Sequence, residues 1–172
     1  MSRIAITGTP GVGKTTLARL LREAGHEVVD LKQWAKDLGA VVGHDEADGS
    51  DVIDLDVLRP HVPPVGDLFY EGHLAHLLDV DEAWVVRCDP FVLGDRLRAR
   101  GYPDAKVREN LEAEAMDLIL QEALAHCPRV VQRDGTRRSP EDLLSAFVET
   151  QGKPLKDHDI EGVDWSDWLL GV

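Results

Sequence analysis

A chain of 172 residues with 32 acidic against 19 basic side chains carries a formal charge of −13, and only six of the basic residues are lysines. That length fits one ordinary domain with a real core and leaves no room for a second, and the charge argues against an extended nucleic-acid-binding face, which needs clustered Lys and Arg. No apolar stretch approaches the length that spans a bilayer and no apolar leader opens the chain, so a soluble, cytoplasmic protein with no membrane contact is expected. An acidic, Lys-poor surface suits a salt-rich cytoplasm and, equally, a simple solubility charge. Cys88 and Cys127 stand apart without metal-ligand spacing, which predicts reduced, buried thiols.

In chain order, Arg3 to Thr7 has the β-branched, apolar character of a buried strand, and Thr15 to Arg22 repeats apolar residues at helical spacing. His26 to Asp30 reads as a second strand and Leu31 to Leu38 as a short helix. The polar, Gly- and Asp-rich stretch from Gly39 to Asp56 shows no strong periodicity. Asp67 to Tyr70 predicts a third strand ending at Glu71, and Ala83 to Cys88 a fourth. Asp89-Pro90 then opens a helix to about Arg100, which Gly101-Tyr102-Pro103 breaks. One long helix is expected from Asp104 to about His126, and a fifth strand from Arg129 to Arg133. Ser139-Pro140-Glu141-Asp142 supplies an N-cap, a first-turn proline and first-turn acids for a last helix to about Thr150. The tail, 151–172, is polar except for Trp165, Trp168, Leu169 and Leu170; the two tryptophans, three apart, share a face if helical. Strands alternating with helices predict an α/β fold with a five-stranded parallel sheet covered on both faces.

Gly8-Thr9-Pro10-Gly11-Val12-Gly13-Lys14-Thr15 completes the pattern G-x-x-x-x-G-K-T between the first strand and the first helix, the order a phosphate-binding loop requires. Its glycines let backbone N–H groups curl around phosphate oxygens, and the helix start adds the positive end of its dipole. Lys14 is expected to reach the β- and γ-phosphates, Thr15 to offer its hydroxyl to Mg²⁺, and Gly11 and Gly13 to leave room for the nucleotide. Glu71, at the end of the third strand, is placed to orient Mg²⁺ or its water; the plain alternative is a surface acid closing a strand. His73 could position a water or a phosphate, or be structural. Arg96 and Arg100, four apart, share a helix face beside the Gly101 hinge and could swing onto bound nucleotide, whereas Arg98 points elsewhere. Mobile guanidinium groups neutralise charge developing on a transferring phosphoryl group and exclude water. The alternative for Arg100 is an ion pair with Glu109 or Glu112.

Taken together, Gly8 to Thr16, Gly43-His44-Asp45-Glu46, Glu71-x-His73, Val86-Arg87 before Asp89, Arg96 to Tyr102 and Asn110-x-x-x-Glu114 resemble the archaeal and eukaryotic nuclear-type adenylate kinase family, whose eukaryotic members are also known as coilin-interacting nuclear ATPases. The resemblance runs from about residue 3 to residue 150. It implies the P-loop nucleoside monophosphate kinase fold, with an acceptor-binding insertion at about 29–52 and a short lid at about 99–109. It further implies reversible phosphoryl transfer between ATP and AMP with Mg²⁺, a slower ATPase activity, and a part in late maturation of the small ribosomal subunit through transient contact with an S11-type ribosomal protein and 16S-type rRNA processing. Residue by residue it assigns Gly11, Gly13, Lys14, Thr15 and Thr16 to ATP, and Arg100 to the lid contact with it. Arg96 joins the substrate-binding set. Lys36 falls where the family often has an arginine for the acceptor phosphate; a lysine brings charge without the bidentate fork, and a solvated helix lysine is an equal reading. Arg87 is a candidate for the acceptor phosphate or a structural partner of Asp89. Glu71 stands where the family usually has aspartate, and the added methylene moves the carboxylate by about 1.5 Å, enough to shift activity between transfer and hydrolysis.

Two other readings stay open: an ATP-hydrolysing assembly factor whose cycle releases a basic protein partner, which the acidic surface would suit, and a kinase of another small metabolite, such as shikimate or a coenzyme A precursor, on the same fold.

Overall fold

The computed structural model describes residues 2–46, 49–154 and 157–171. Strand β1 (Arg3–Thr7) lies inside a parallel sheet, with β5 (Leu68–Glu71) on one side and β6 (Glu82–Arg87) on the other. Beyond them come β2 (Glu27–Asp30) next to β5, then β7 (Arg129–Asp134) and β8 (Asp159–Ile160) next to β6. The order is β2-β5-β1-β6-β7-β8, six strands where five are expected. The sixth is a two-residue strand in the tail, too short to carry an alternating pattern, that adds to the edge of β7.

Alternation along β1 sends Ile4 and Ile6 to one face and Ala5 to the other. The Ile4/Ile6 face, with Phe69, Trp84, Val86 and Val131, packs beneath α1 (Lys14–Glu23), α4 (Pro90–Ala99), α5 (Asp104–Ala115) and α7 (Pro140–Val148). Trp84 stacks on Phe147 of α7 with ring centroids 4.9 Å apart. The opposite face, with Tyr70, Val85 and Val130, is covered by α2 (Leu31–Asp37), Leu58 of the short helix α3 (Leu55–Leu58), and α6 (Leu118–His126). Asp89 caps α4 by accepting from Phe91 N, and Ser139 caps α7 by accepting from Asp142 N, the local signals both helices carry in sequence. In the tail, Trp168 in α8 (Ser166–Leu170) packs against the first core cluster.

Two expectations give way. The aperiodic stretch 39–56 contains an antiparallel hairpin, β3 (Val41–Asp45) with β4 (Ser50–Ile53), pairing His44 with Asp51 and Asp45 with Ser50. Most of β3 is exposed, so the hairpin needs no apolar alternation to form. The single helix expected over 104–126 is broken between α5 and α6, where Asp117 adopts a left-handed φ of 56°. No glycine or proline marks that break. It is built on Arg87, whose NH2 donates to the α5 carbonyl Glu114 O (2.7 Å) and to Asp117 Oδ1 (2.6 Å).

Candidate active site

The loop from Gly8 to Gly13 leaves the carboxyl end of β1, the place where open parallel sheets bind ligands. Gly8 has φ 145°, and a Cβ there would stand 2.5 Å from Val86 O, so the loop can press on β6 only with glycine. Gly11 has φ 92°, and its Cβ would meet Leu93 and Leu97 of α4 at 3.0 Å. Gly13, also left-handed, is the N-cap of α1, and Lys14, Thr15 and Thr16 form the first turn of that helix.

Lys14 is only 8% exposed, and its Nζ donates to Gly8 O (2.7 Å) and Thr9 O (3.0 Å). Burial pushes its pKa down to about 8, with Arg100 adding to the drop while Glu71 and Glu114 oppose it. Glu71, 9% exposed, is held above the usual carboxylate range by burial, against the pull of Lys14. Its strand lies between β1 and β2, with Glu71 paired in register to Ile6 on one side and Asp30 on the other. The phosphate-binding loop thus leaves the end of β1 and the region 29–52 continues from β2, the two strands that flank β5 and its buried Glu71 carboxylate. His73 sits two residues on, in the loop after β5, with its side chain exposed. Neighbouring protein atoms and the positive charges of Lys14, Lys106 and Lys32 lower its pKa to about 4, so at neutral pH the imidazole is uncharged.

A cavity of about 270 Å³ adjoins the loop, lined by Gly11, Gly13, Thr16, Arg96, Arg100 and Arg138 among others. Arg96 NH1 donates to Gly11 O at 3.4 Å. Arg100 is the C-cap of α4, just before the Gly101 turn. Glu109 and Glu112, its alternative partners, bond Lys106 and Arg108, while Arg98 pairs with Asp95, away from the cavity. Sequence reasoning missed Arg138. Its guanidinium is anchored on both carboxylate oxygens of Glu161 and on Asp134 O, and its one signal is a basic pair, Arg137-Arg138, just beyond a strand end.

Lys36 lies on α2, half-exposed, with Nζ 3.7 Å from Asp51 Oδ2, which Lys32 also approaches at 3.7 Å. Arg87 does not reach the cleft. It is 2% exposed, and instead of Asp89 it takes Glu114 Oε1, Gln132 Oε1, Glu114 O and Asp117 Oδ1, so every guanidinium nitrogen is used inside the protein. Both Cys88 and Cys127 are buried, with thiol pKa values pushed up to about 11 and about 12 by burial. Thr15, in the first turn of α1, carries a hydroxyl and Glu71, at the end of β5, a carboxylate; both are hard oxygen donors, the type of group that magnesium takes beside water and phosphate. Among the described residues no helix is long and apolar enough to cross a membrane.

Residues 4–117 match a family model described as an AAA domain. Proteins named "Putative adenylate kinase" are 41% identical in Archaeoglobus fulgidus (94% of this chain, 90% of the relative) and 43% identical in Methanothermobacter thermautotrophicus (98% and 99%). Another so named, from Natronomonas pharaonis, is 42% identical over 97% of this chain and 99% of its own. Among solved structures, the YorR protein of Bacillus subtilis in complex with phosphorylated GDP superposes with a TM-score of 0.58 at 14% identity, covering 86% of this chain and 94% of that one. A shikimate kinase from Bacteroides thetaiotaomicron does so with a TM-score of 0.50 at 20% identity, covering 87% and 96%. These structural likenesses show the fold, that of the small P-loop kinases.

Proposed function

We propose that this chain, which belongs to the adenylate-kinase-like family of its archaeal relatives, transfers the terminal phosphoryl group of ATP to AMP and catalyses the reverse reaction. The observation that carries the reading is the position of Glu71, between the strand end that launches the phosphate-binding loop and the strand end that launches the region 29–52. A donor phosphate on the loop and an acceptor phosphate beyond β2 would meet beside that carboxylate.

Gly11, Gly13, Lys14, Thr15 and Thr16 bind the ATP phosphates, and Arg96, Arg100 and Arg138 line the cavity beside them. Three guanidinium groups suit a polyanion whose charge grows towards the transition state. Lys36 is offered to the acceptor phosphate, which would compete with Asp51 for it. Neutral His73 acts as a hydrogen-bonding group rather than a cation. Magnesium, held by Thr15 and Glu71, would screen negative charge on the transferring group. The segment 99–109, the end of α4, the Gly101 turn and the start of α5, acts as the lid.

The family resemblance extends the proposal to a slower ATPase activity and to a cytoplasmic part in small-subunit ribosome maturation with a ribosomal protein of the S11 type. The charge of −13 supports a basic protein partner of that kind.

The test supplies Mg²⁺ and ATP with each nucleoside monophosphate in turn and follows ADP and free phosphate separately, with Lys14→Ala as the blank. ADP in excess of phosphate only when AMP is present is expected. Phosphate equal to ADP regardless of AMP would leave the ATP-hydrolysing assembly factor as the main activity.

A further inference from the structure

The carboxylate of Glu114 is 3% exposed, and both of its oxygens are used. Oε1 accepts from Arg87 Nε (2.8 Å) and from the Cys88 backbone N–H (3.0 Å). Oε2 accepts from the Thr9 hydroxyl at 2.6 Å. Thr9 is a variable position of the loop motif, so nothing in the phosphate chemistry requires a hydroxyl there. Yet that residue is 2% exposed, and its backbone carbonyl accepts from the Lys14 ammonium at 3.0 Å. A line of contacts therefore runs from Glu114, in the last turn of α5, through Thr9 to Lys14.

We infer that Glu114 is a positioning residue for nucleotide binding: through the Thr9 hydroxyl it ties the phosphate-binding loop to the last turn of α5, the helix that follows the lid turn. The inference rests on the kinase reading for its purpose, but it concerns binding alone. The far end of α5 begins at Asp104, just past Gly101-Tyr102-Pro103. An α-helix rises about 1.5 Å per residue, so α5 runs from the lid turn to Glu114 as one element, and the setting of the loop and the seating of the lid helix share one buried carboxylate. The tie on the other side, to Arg87 and Cys88 N, fixes the carboxylate itself and leaves Oε2 aimed at the loop. A charge-assisted O–H···O⁻ bond of this length is among the stronger kinds.

Thr9→Val keeps the shape, removes the donor and leaves Arg87–Glu114 in place; Thr9→Ser restores the hydroxyl. MgATP affinity is measured by calorimetry and melting temperature in parallel. The Kd is expected to rise about tenfold in Thr9→Val and to return to within about threefold of the wild type in Thr9→Ser. A merely structural hydroxyl would lower the melting temperature and leave the Kd unmoved, and that result overturns the inference. Equal weakening in both variants overturns it too, since restoring the hydroxyl would then restore nothing. Glu114→Gln and the double variant complete a cycle, in which the effects on Kd should fail to add because both act through one contact; if Glu114→Gln does not fold, the Thr9 pair decides alone. A wild type that binds MgATP but phosphorylates no monophosphate defeats the kinase reading and leaves this binding series decisive, whereas one that binds no MgATP defeats both.

Discussion

Arg87 NH2 lies 2.6 Å from Asp117 Oδ1, bridging the end of β6 to the point where α5 stops and α6 starts. With the bonds from the same guanidinium to Glu114 and Gln132, this makes Arg87 the tie that sets the helical layer on the sheet. Arg87→Met leaves Glu114 a buried carboxylate without its cationic partner, and a cost of about 3–5 kcal/mol in unfolding free energy is expected. Asp117→Gly removes only the half-exposed arm and relieves a left-handed backbone, so its net cost should stay within about 1 kcal/mol. Denaturant unfolding of the two variants compares them, and equal costs would contradict this division.

Lys14 supplies a pH dependence with a definite sign. Its pKa is lowered to about 8 by burial in the free protein, and contact with phosphate oxygens would favour the charged form and raise it. The protonated ammonium is the binding form. MgATP affinity should therefore be flat below about pH 8 and fall as pH rises between the free and bound pKa values, by up to about tenfold per unit. Calorimetry from pH 7 to 9.5 tests it; an affinity that rises with pH would contradict the sign.

Arg100 and Arg138 share one cavity wall but differ in anchorage. Arg138 is fixed on Glu161, whereas Arg100 stands at a helix end beside the Gly101 turn. Arg100→Ala should lower kcat by about 10³-fold, as loss of a transition-state arginine does. Arg138→Ala should act mainly on KM, as loss of ground-state binding does. Steady-state kinetics of both variants provides the check, and the reverse pattern would exchange the two roles.

Shortening Glu71 to aspartate draws the carboxylate back by about 1.5 Å from the junction of the two strand ends. Glu71→Asp is expected to change the ratio of ADP formed by transfer to phosphate released by hydrolysis, and Glu71→Gln to lower both by about 100-fold or more. Unchanged product ratios in Glu71→Asp would remove the carboxylate's reach as a determinant.

What was legible in the sequence is what local chemistry fixes. The loop reads directly because Gly8 and Gly11 answer to close approach, and the starts of α4 and α7 read because Asp89-Pro90 and Ser139-Pro140 cap them from within. The alternation that buries Ile4 and Ile6 on one face and Ala5 on the other was readable only as a buried run, since a strand covered on both sides is apolar throughout. The break at Asp117 was not legible, because α5 and α6 have good helix formers on both sides and the cause, Arg87, is 30 residues away. A longer separation hid Glu114 as the partner of Thr9, 105 residues earlier. The hairpin over 41–53 escaped because an exposed ribbon has no core to impose a pattern.

Transfer within one cleft, with donor and acceptor on either side of Glu71, must run in both directions. It is tested most directly in reverse, by supplying ADP and Mg²⁺ alone and measuring ATP and AMP by chromatography or phosphorus NMR. Two ADP should yield ATP and AMP in equal amounts, with free phosphate a minor product, and Lys14→Ala should yield neither nucleotide. No ATP from ADP under conditions where the wild type binds nucleotide would contradict the account and leave a protein that only binds or hydrolyses ATP.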